Sequence, residues 1–280
     1  MLPVRRLIVL ETDFGDTDPY VGIMKAVIKR INPEAEIIDL THGIPSFDVM
    51  AGAYVLYNSF RYFPPETLFV TVVDPGVGTE RLPIIARLCD RYFVAPDNGI
   101  VYPVVKGCEK AGTVEIRSID LNKLSKLMSG ITGNTWKISK TFHGRDVFAP
   151  AAAMLSRGIS PSEIAPEHLD HRKLVPLTLF HHQLHENTIC YSRVYIDKFG
   201  NIALSVRYRD FKEFFRDTEE VILVLADKTY KVRLGKTFSD VGVGELLIYE
   251  NSFGFTEIGV NQGSARDLLG EHVRFCFIIL

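Results

Sequence analysis

The sequence predicts an α/β domain with a mainly parallel sheet over residues 1–180, followed by a mostly antiparallel β domain over 186–280. Three observations carry this reading. Short runs rich in Ile, Val and Phe alternate with helical periodicity up to about residue 160. The texture then changes after the proline-containing stretch near 161–176. From there to the C-terminus only strand-like runs separated by turns are found. At 280 residues the chain is long enough to bury two cores.

The strands of the first domain are expected at LIVLE (7–11), EIIDL (36–40), TLFVTVV (67–73), PIIARL (83–88) and YFVAP (92–96), each bounded by Gly, Pro or Asp. Between the first two, Val21, Met24, Val27, Ile28 and Ile31 recur at helical spacing. Asp16 or Thr17 is expected to cap that helix, Pro19 to sit in its first turn, and Asn32-Pro33 to end it. A second helix is expected from about Phe47 to Tyr62, with Val49, Ala53, Leu56, Tyr57 and Phe60 as its apolar stripe. Strand-helix-strand order with continuously apolar strands implies a sheet covered on both faces. Residues 120–142, with the turn-rich SGITGNTW, read as an insertion. FHGRD then leads into a helix around DVFAPAAAMLSRG, with Asp146 placed as its N-cap and Arg145 as a surface charge. The second domain is built from TICYSRVYI, NIALSV, VILVL, TYKVRL, ELLIYE, TEIGV and HVRFCFII, joined by turns such as DKFGN and ADK.

Hydrophobic residues at 46% and charged residues at 24% are ordinary for a globular protein, and no stretch approaches the roughly 20 apolar residues of a membrane span. The N-terminal apolar run is too short and ends in acids, so it reads as a strand and not a secretory segment; the expected location is the cytoplasm. Cys89, Cys108, Cys190 and Cys276 are scattered without a CxxC pair and are expected to be reduced, mostly buried thiols. A net charge of -2 gives no footprint for nucleic acid, and Lys123, Lys126, Lys137 and Lys140 read as a solvated, mildly basic stretch.

In a parallel α/β sheet, ligands collect outside the carboxyl ends of the strands. Asp13 follows LIVLET, Asp74 follows TLFVTVV, and Asp97 with Asn98 follows YFVAP, each with a glycine within two residues. Acids and Asn there also start turns and cap helices. Three together, beside glycines that allow close approach to the backbone, point to a ligand. His143, beside Gly144, is a further candidate. The first strand-helix turn, TDFGDTDPY, is not GxGxxG, and no GxxxxGKS/T occurs. An acid-rich turn repels a diphosphate but suits a ribose diol or a cation such as a metal, an ammonium or a sulfonium.

TDFG, VDPGVGTER, APDNG, FHGRDVFAP, DKFGN and NSFGFTEIGVNQGSA, in this order, resemble the S-adenosyl-L-methionine (SAM) hydroxide adenosyltransferases, or SAM hydrolases. These are relatives of the halide-using fluorinase and chlorinase. The resemblance covers nearly the whole chain and is least diagnostic over 120–142 and 160–186. It implies an N-terminal α/β domain, a barrel-like C-terminal domain, and a homotrimer with SAM held between the N-terminal domain of one subunit and the C-terminal domain of its neighbour. It implies displacement of methionine from the ribose 5'-carbon by water, giving adenosine, with no cofactor and no metal. By motif position, Asp74, Arg81 and His143 act on the water. Asp13 is expected at the ribose diol, and Asp18 near the methionine. Asp197 is expected at the methionine ammonium and Asn201 at the adenine edge. Ser252, Phe253, Glu257 and Val260 are also expected to contact substrate. The halide users replace the Arg and His and carry an extra loop after VDPGVG. Here RLPIIARLCDRYFVAP runs on without it. Tyr20 departs from the fluorinase pattern, which has a small hydroxyl residue there.

The chemistry of the residues agrees. A sulfonium leaving group needs neither protonation nor a metal, whereas water is a poor nucleophile at neutral pH. Arg81 can favour hydroxide character in a bound water, and Asp74 or His143 can orient it and accept its proton. A metal-dependent hydrolase using Asp13, Asp74, Asp97 and His143 is the alternative, which Arg81 opposes because a guanidinium beside a metal cluster is unfavourable. A SAM-binding sensor without turnover is another, and would leave the Asp-Arg-His set without purpose. A halide-using transferase is a third, opposed by motif alone.

Overall fold

The structure, a computed structural model, describes residues 7–279 apart from 110, 111, 113, 217 and 227. The charged stretch 1–6 and Asp227 of the ADK turn therefore lie outside the described residues. The chain divides into two compact units, Met1–Leu177 and Thr178–Leu280.

The first unit runs β1 (Leu7–Thr12), α1 (Tyr20–Ile31), β2 (Glu36–Thr41), α2 (Val49–Ser59), β3 (Leu68–Val72), β4 (Pro83–Leu88), β5 (Arg91–Pro96), α3 (Tyr102–Cys108), β6 (Val114–Ser118), α4 (Leu121–Thr132), α5 (Ala149–Ser156), α6 (Pro161–Ile164) and β7 (Glu167–His168). The sheet order is β2-β1-β3-β5-β4-β6-β7. β2, β1, β3 and β5 pair in parallel, with Ile8 opposite both Ile37 and Leu68. β4, β6 and β7 extend it antiparallel. On one face Ile8, Leu10, Val70 and Val72 pack against Met24 and Ile28 of α1 and the alanine-rich α5. Full burial of a side chain such as Met24 or Ile28 is worth about 1.5–3 kcal/mol, which is what holds α1 down.

Several local expectations change. Pro19 occupies the N-cap of α1, and neither Asp16 nor Thr17 caps it. Instead the Ile23 N–H bonds to the Pro19 carbonyl. α2 begins two residues later than expected, because Asp48 accepts from the Ala51 N–H and so caps it; beyond Ser59 the chain tightens to a 3-10 turn, Phe60–Tyr62. Residues 120–142 are not a bare insertion. Asp120 caps α4, Leu124 and Met128 join the core, and Gly133 at φ +71 turns the chain back.

The second unit runs β8 (His182–His185), β9 (Thr188–Ile196), β10 (Ile202–Arg207), α7 (Tyr208–Phe214), β11 (Glu220–Leu225), β12 (Lys228–Leu234), β13 (Leu246–Glu250), β14 (Phe255–Val260), α8 (Ala265–Leu269) and β15 (Arg274–Ile278). The order β10-β14-β13-β12-β11-β15-β9 closes on itself through the β9–β10 pairing into a seven-stranded barrel, with β8 added on β9. Closure leaves no open edge in the ring. Tyr191, Phe211, Phe275 and Phe277 fill it.

The reading of the cysteines as reduced thiols is overturned. Cys89 is bonded to Cys108, joining the β4–β5 turn to the end of α3, and Cys190 to Cys276, which face each other across β9 and β15. Register brings the second pair together across 86 residues of sequence, a separation that carries no motif. Among the described residues no helix is long and apolar enough to cross a membrane.

Candidate active site

β3 is buried along its whole length and ends at Val72, so Asp74 emerges from the sheet at its carboxyl end. Its carboxylate receives the Arg81 Nε–H at 3.0 Å on one oxygen and a second guanidinium N–H, from Nη2, on the other. The two side chains are 5% and 9% exposed, so this is a buried, two-pronged ion pair. The loop between them is shaped by Gly78, at φ +77; a Cβ there would lie 2.3 Å from the Lys140 carbonyl oxygen. Only glycine permits that approach. β4 starts two residues after Arg81, without an intervening insertion.

The same Nη2 of Arg81 lies 2.8 Å from Nδ1 of His143, which is buried beside it. A guanidinium can only donate, so Nδ1 accepts, and the neutral imidazole carries its hydrogen on Nε2. Burial first, and the Arg81 charge second, hold the His143 pKa below its ordinary value, while Asp74 and Asp146 oppose them. The Arg81 guanidinium also sits 5.3 Å from the centre of the Phe148 ring, and its Nη1 is buried with no acceptor. An unpaired buried donor costs about 1–3 kcal/mol, which marks Nη1 as available for another partner.

His143 opens a π-helical turn, Gly144–Phe148, that continues into α5. Asp146 is not the N-cap expected of it, and Arg145 is more than a surface charge. Asp146 is buried, takes both Nε–H and Nη2–H of Arg145 at 2.6 and 2.8 Å, and accepts from the Ser139 N–H at 2.9 Å. Those hydrogen bonds hold its carboxyl below the usual range against the opposing effect of burial. Trp136 Nε1–H bonds to the Asp146 carbonyl, so residues 136–142 are tied along this turn. The segment thereby delivers Ser139, Thr141 and Phe142 to the site.

Those residues line a cavity of about 560 Å³ together with Asp13, Phe14, Tyr20, Ser46, Phe47, Asp74 and His143. Of the acids expected there, the structure thus brings Asp13 and Asp74 together; burial, with a contribution from the Asp74 charge, raises the Asp13 pKa. Phe14, Tyr20 and Phe142 form an aromatic corner, with Tyr20 and Phe142 ring centres 5.2 Å apart. Asp18 is exposed and does not line the cavity. Asp97 and Asn98 are engaged with backbone groups: Asp97 accepts from the Val175 N–H, and Asn98 donates to the Val73 carbonyl and accepts from the Ile100 N–H. Sequence reasoning missed Glu11. It is wholly buried beside its register partner Thr71, has no well-formed hydrogen bond, and is pushed by burial up to about 8. Its position inside an apolar strand, two residues before Asp13, was the signal. Among the described residues no group of three or more His, Cys, Asp or Glu side chains is arranged to hold a metal ion.

In the second unit, Asn201 and Val260 line a separate cavity of about 530 Å³ with Phe199, Phe238, Asn261, Gln262 and Gly263. Asp197 organises the turn beneath it, accepting from the N–H groups of Phe199 and Asn201 and from the Asn201 amide, each at 2.9 Å. Ser252 and Phe253 are exposed on the β13–β14 turn. Glu257 is buried in the barrel, accepting from the Tyr249 hydroxyl and, at 2.8 Å, from the Asn251 amide; burial raises its pKa. It does not line this cavity.

Comparison with known proteins adds a family. The sequence profile of the SAM hydroxide adenosyltransferase N-terminal domain matches residues 8–165, and that of the C-terminal domain residues 193–274. A relative from Salinispora tropica, named (R)-S-adenosyl-L-methionine hydrolase, is 33% identical over 92% of each chain. One of the same name from Thermus thermophilus is 32% identical over 92% of this chain and 93% of its own. The crystal structure of a conserved protein from Thermotoga maritima superposes with a TM-score of 0.82 at 37% identity, covering 97% of this chain and 99% of that one.

Proposed function

Because the chain belongs to the SAM hydroxide adenosyltransferase family, we propose that it hydrolyses SAM to adenosine and L-methionine by attack of water on the ribose 5'-carbon. The observation that carries the reading is the buried contact of Arg81 with both Asp74 and His143, two residues that line one cavity.

In this reaction an oxygen–carbon bond forms at C5' as the carbon–sulfur bond breaks. The electron pair goes to sulfur, so methionine leaves as a neutral thioether, and one proton leaves the water. Arg81 Nη1 has N–H groups left over and is assigned to hold the water and stabilise its developing hydroxide. Asp74 keeps unused lone pairs even with both oxygens bonded to Arg81, so it is assigned to orient the water and pass its proton to solvent. His143, its Nδ1 occupied, holds the guanidinium in place and offers an Nε2–H. Asp13 takes the ribose hydroxyls, and the apolar aromatic corner lies beside the sulfonium. No cofactor and no metal enter this scheme. Arg81, bonded to Asp74 and His143, two of the four side chains that a metal would need, supports that choice. The immediate start of β4 after Arg81 supports water over halide.

The proposal extends to a homotrimer in which Asn201, Asp197, Ser252, Phe253, Glu257 and Val260 of one subunit serve the substrate whose ribose is held by Asp13 of another, beside the Asp74, Arg81 and His143 set, with the exposed Asp18 towards the methionine. Of these, Asn201 and Val260 already line one cavity. It also places the reaction in the cytoplasm, where two disulfides are unusual and would have to be buried well enough to persist. The test is incubation of purified protein with SAM, excess chelator and chloride, with the nucleosides resolved by mass. Adenosine is the expected product; a 5'-halogenated nucleoside, or none at all, overturns the proposal.

A further inference from the structure

We propose that His42 is a positioning residue for Asp13, stapling the loop after β1 to the loop after β2 so that the carboxylate is held in one orientation. This rests on the assignment of Asp13 to the ribose hydroxyls.

β1 and β2 run side by side, with Glu11 opposite Thr41, so both loops leave the same end of the sheet. His42 is the first residue beyond β2, and it is 7% exposed. Three contacts cross between the loops. The Gly15 N–H donates to the His42 carbonyl at 2.8 Å, the Thr12 hydroxyl meets His42 Nδ1 at 2.8 Å, and the Phe47 N–H donates to Asp13 Oδ2 at 2.8 Å. Gly15, at φ +67, allows the first. On the far side of the ring, Nε2 lies 3.0 Å from Asp39 Oδ1, off the line of a good hydrogen bond, and Asp39 in turn takes Lys25 at 2.5 Å.

The chemistry of the chain is directional. The Asp39 carboxylate favours hydrogen on Nε2, which leaves Nδ1 a bare lone pair. The Thr12 hydroxyl has one proton to give and two lone pairs to receive with. Donating to Nδ1, it is turned so that its oxygen accepts the Phe14 N–H at 3.2 Å. Phe14 adjoins Asp13, so the ring of His42 sets the backbone on which the carboxylate is carried. Thr12 alone could make the two-residue turn to Phe14, as Thr commonly does; the buried histidine removes its rotational freedom.

The test compares wild type with His42→Leu, His42→Asn and Thr12→Val, reading the affinity for adenosine and for methionine, kcat at saturating SAM, and amide exchange at Phe14 and Gly15. Loss of one such hydrogen bond predicts adenosine binding weakened about tenfold in His42→Leu and Thr12→Val. Methionine affinity and kcat should stay within about threefold, and His42→Asn, whose amide sits where Nδ1 does, should restore most of the affinity. Unchanged adenosine affinity in a folded variant, equal loss for both ligands, or no rescue by Asn overturns the role. Should wild type bind no adenosine, the ribose reading itself fails. The staple is then judged by amide exchange: acceleration confined to Phe14 and Gly15 supports it, and unchanged exchange overturns it.

Discussion

Arg81 and His143, 62 residues apart in sequence, share a 2.8 Å contact in which the guanidinium donates and the imidazole Nδ1 accepts. That contact fixes which nitrogen of His143 carries hydrogen. It also makes Arg81 the centre of the site, since Asp74 is held by the same guanidinium.

Replacing Arg81 by Ala should lower kcat about 10²- to 10³-fold, the usual loss for one preorganised donor. Adenosine affinity should stay within about threefold, because in this scheme Arg81 meets the attacking water and not the nucleoside. Single-turnover kinetics beside calorimetric titration check this. Lost affinity at an unchanged rate would make Arg81 a substrate anchor.

The acid limb of kcat should belong to His143. Its pKa is held below the ordinary 6.5 by burial and Arg81, so the neutral form, able to accept from Arg81, persists through neutral pH. Below that depressed pKa the ring is protonated, Nδ1 can no longer accept, and the rate falls. His143→Gln keeps an acceptor without a titration, so its pH profile should lose the limb. Persistence of the limb would transfer it to Asp13, whose pKa burial raises above its ordinary value.

Glu11 should make stability depend on pH. Its carboxyl is raised from 4.5 to about 8 in the folded state. The unfolded chain therefore loses this proton first as pH rises. The contribution of Glu11 to stability is intact below 4.5 and is lost progressively up to about 8, at no more than about 1.4 kcal/mol per pH unit. Denaturant titrations across that window should fall more steeply for wild type than for Glu11→Gln. Parallel curves would mean that Glu11 has a partner.

The two disulfides should be measurable directly. Thiol titration of the protein unfolded without reductant should find none of the four cysteines free. Cys190→Ser with Cys276→Ser should cost about 2–4 kcal/mol, because that bridge closes a long loop. Four free thiols would restore the expectation drawn from sequence.

What was legible in the sequence was what repeats locally. The strands from LIVLE to YFVAP, the stripe of α1 and the acids at Asp13 and Asp74 all follow from period and punctuation. The role of Arg81 was legible only through the resemblance of VDPGVGTER to the family, and the close approach of Gly78 to the Lys140 carbonyl emerged with the fold. Contacts decided by register were not. Cys190 and Cys276, and the His42 to Thr12 link, depend on which strands lie side by side. Asp146 looked like a cap because acids usually cap; the π-helical turn around it instead placed its carboxylate against Arg145 and Ser139.

The most direct test of the central claim is turnover of SAM in oxygen-18 water, with both products weighed. The account predicts one heavy oxygen in adenosine, at the 5'-hydroxyl, and none in methionine. Unlabelled adenosine, or label in methionine, would contradict attack of water on the 5'-carbon.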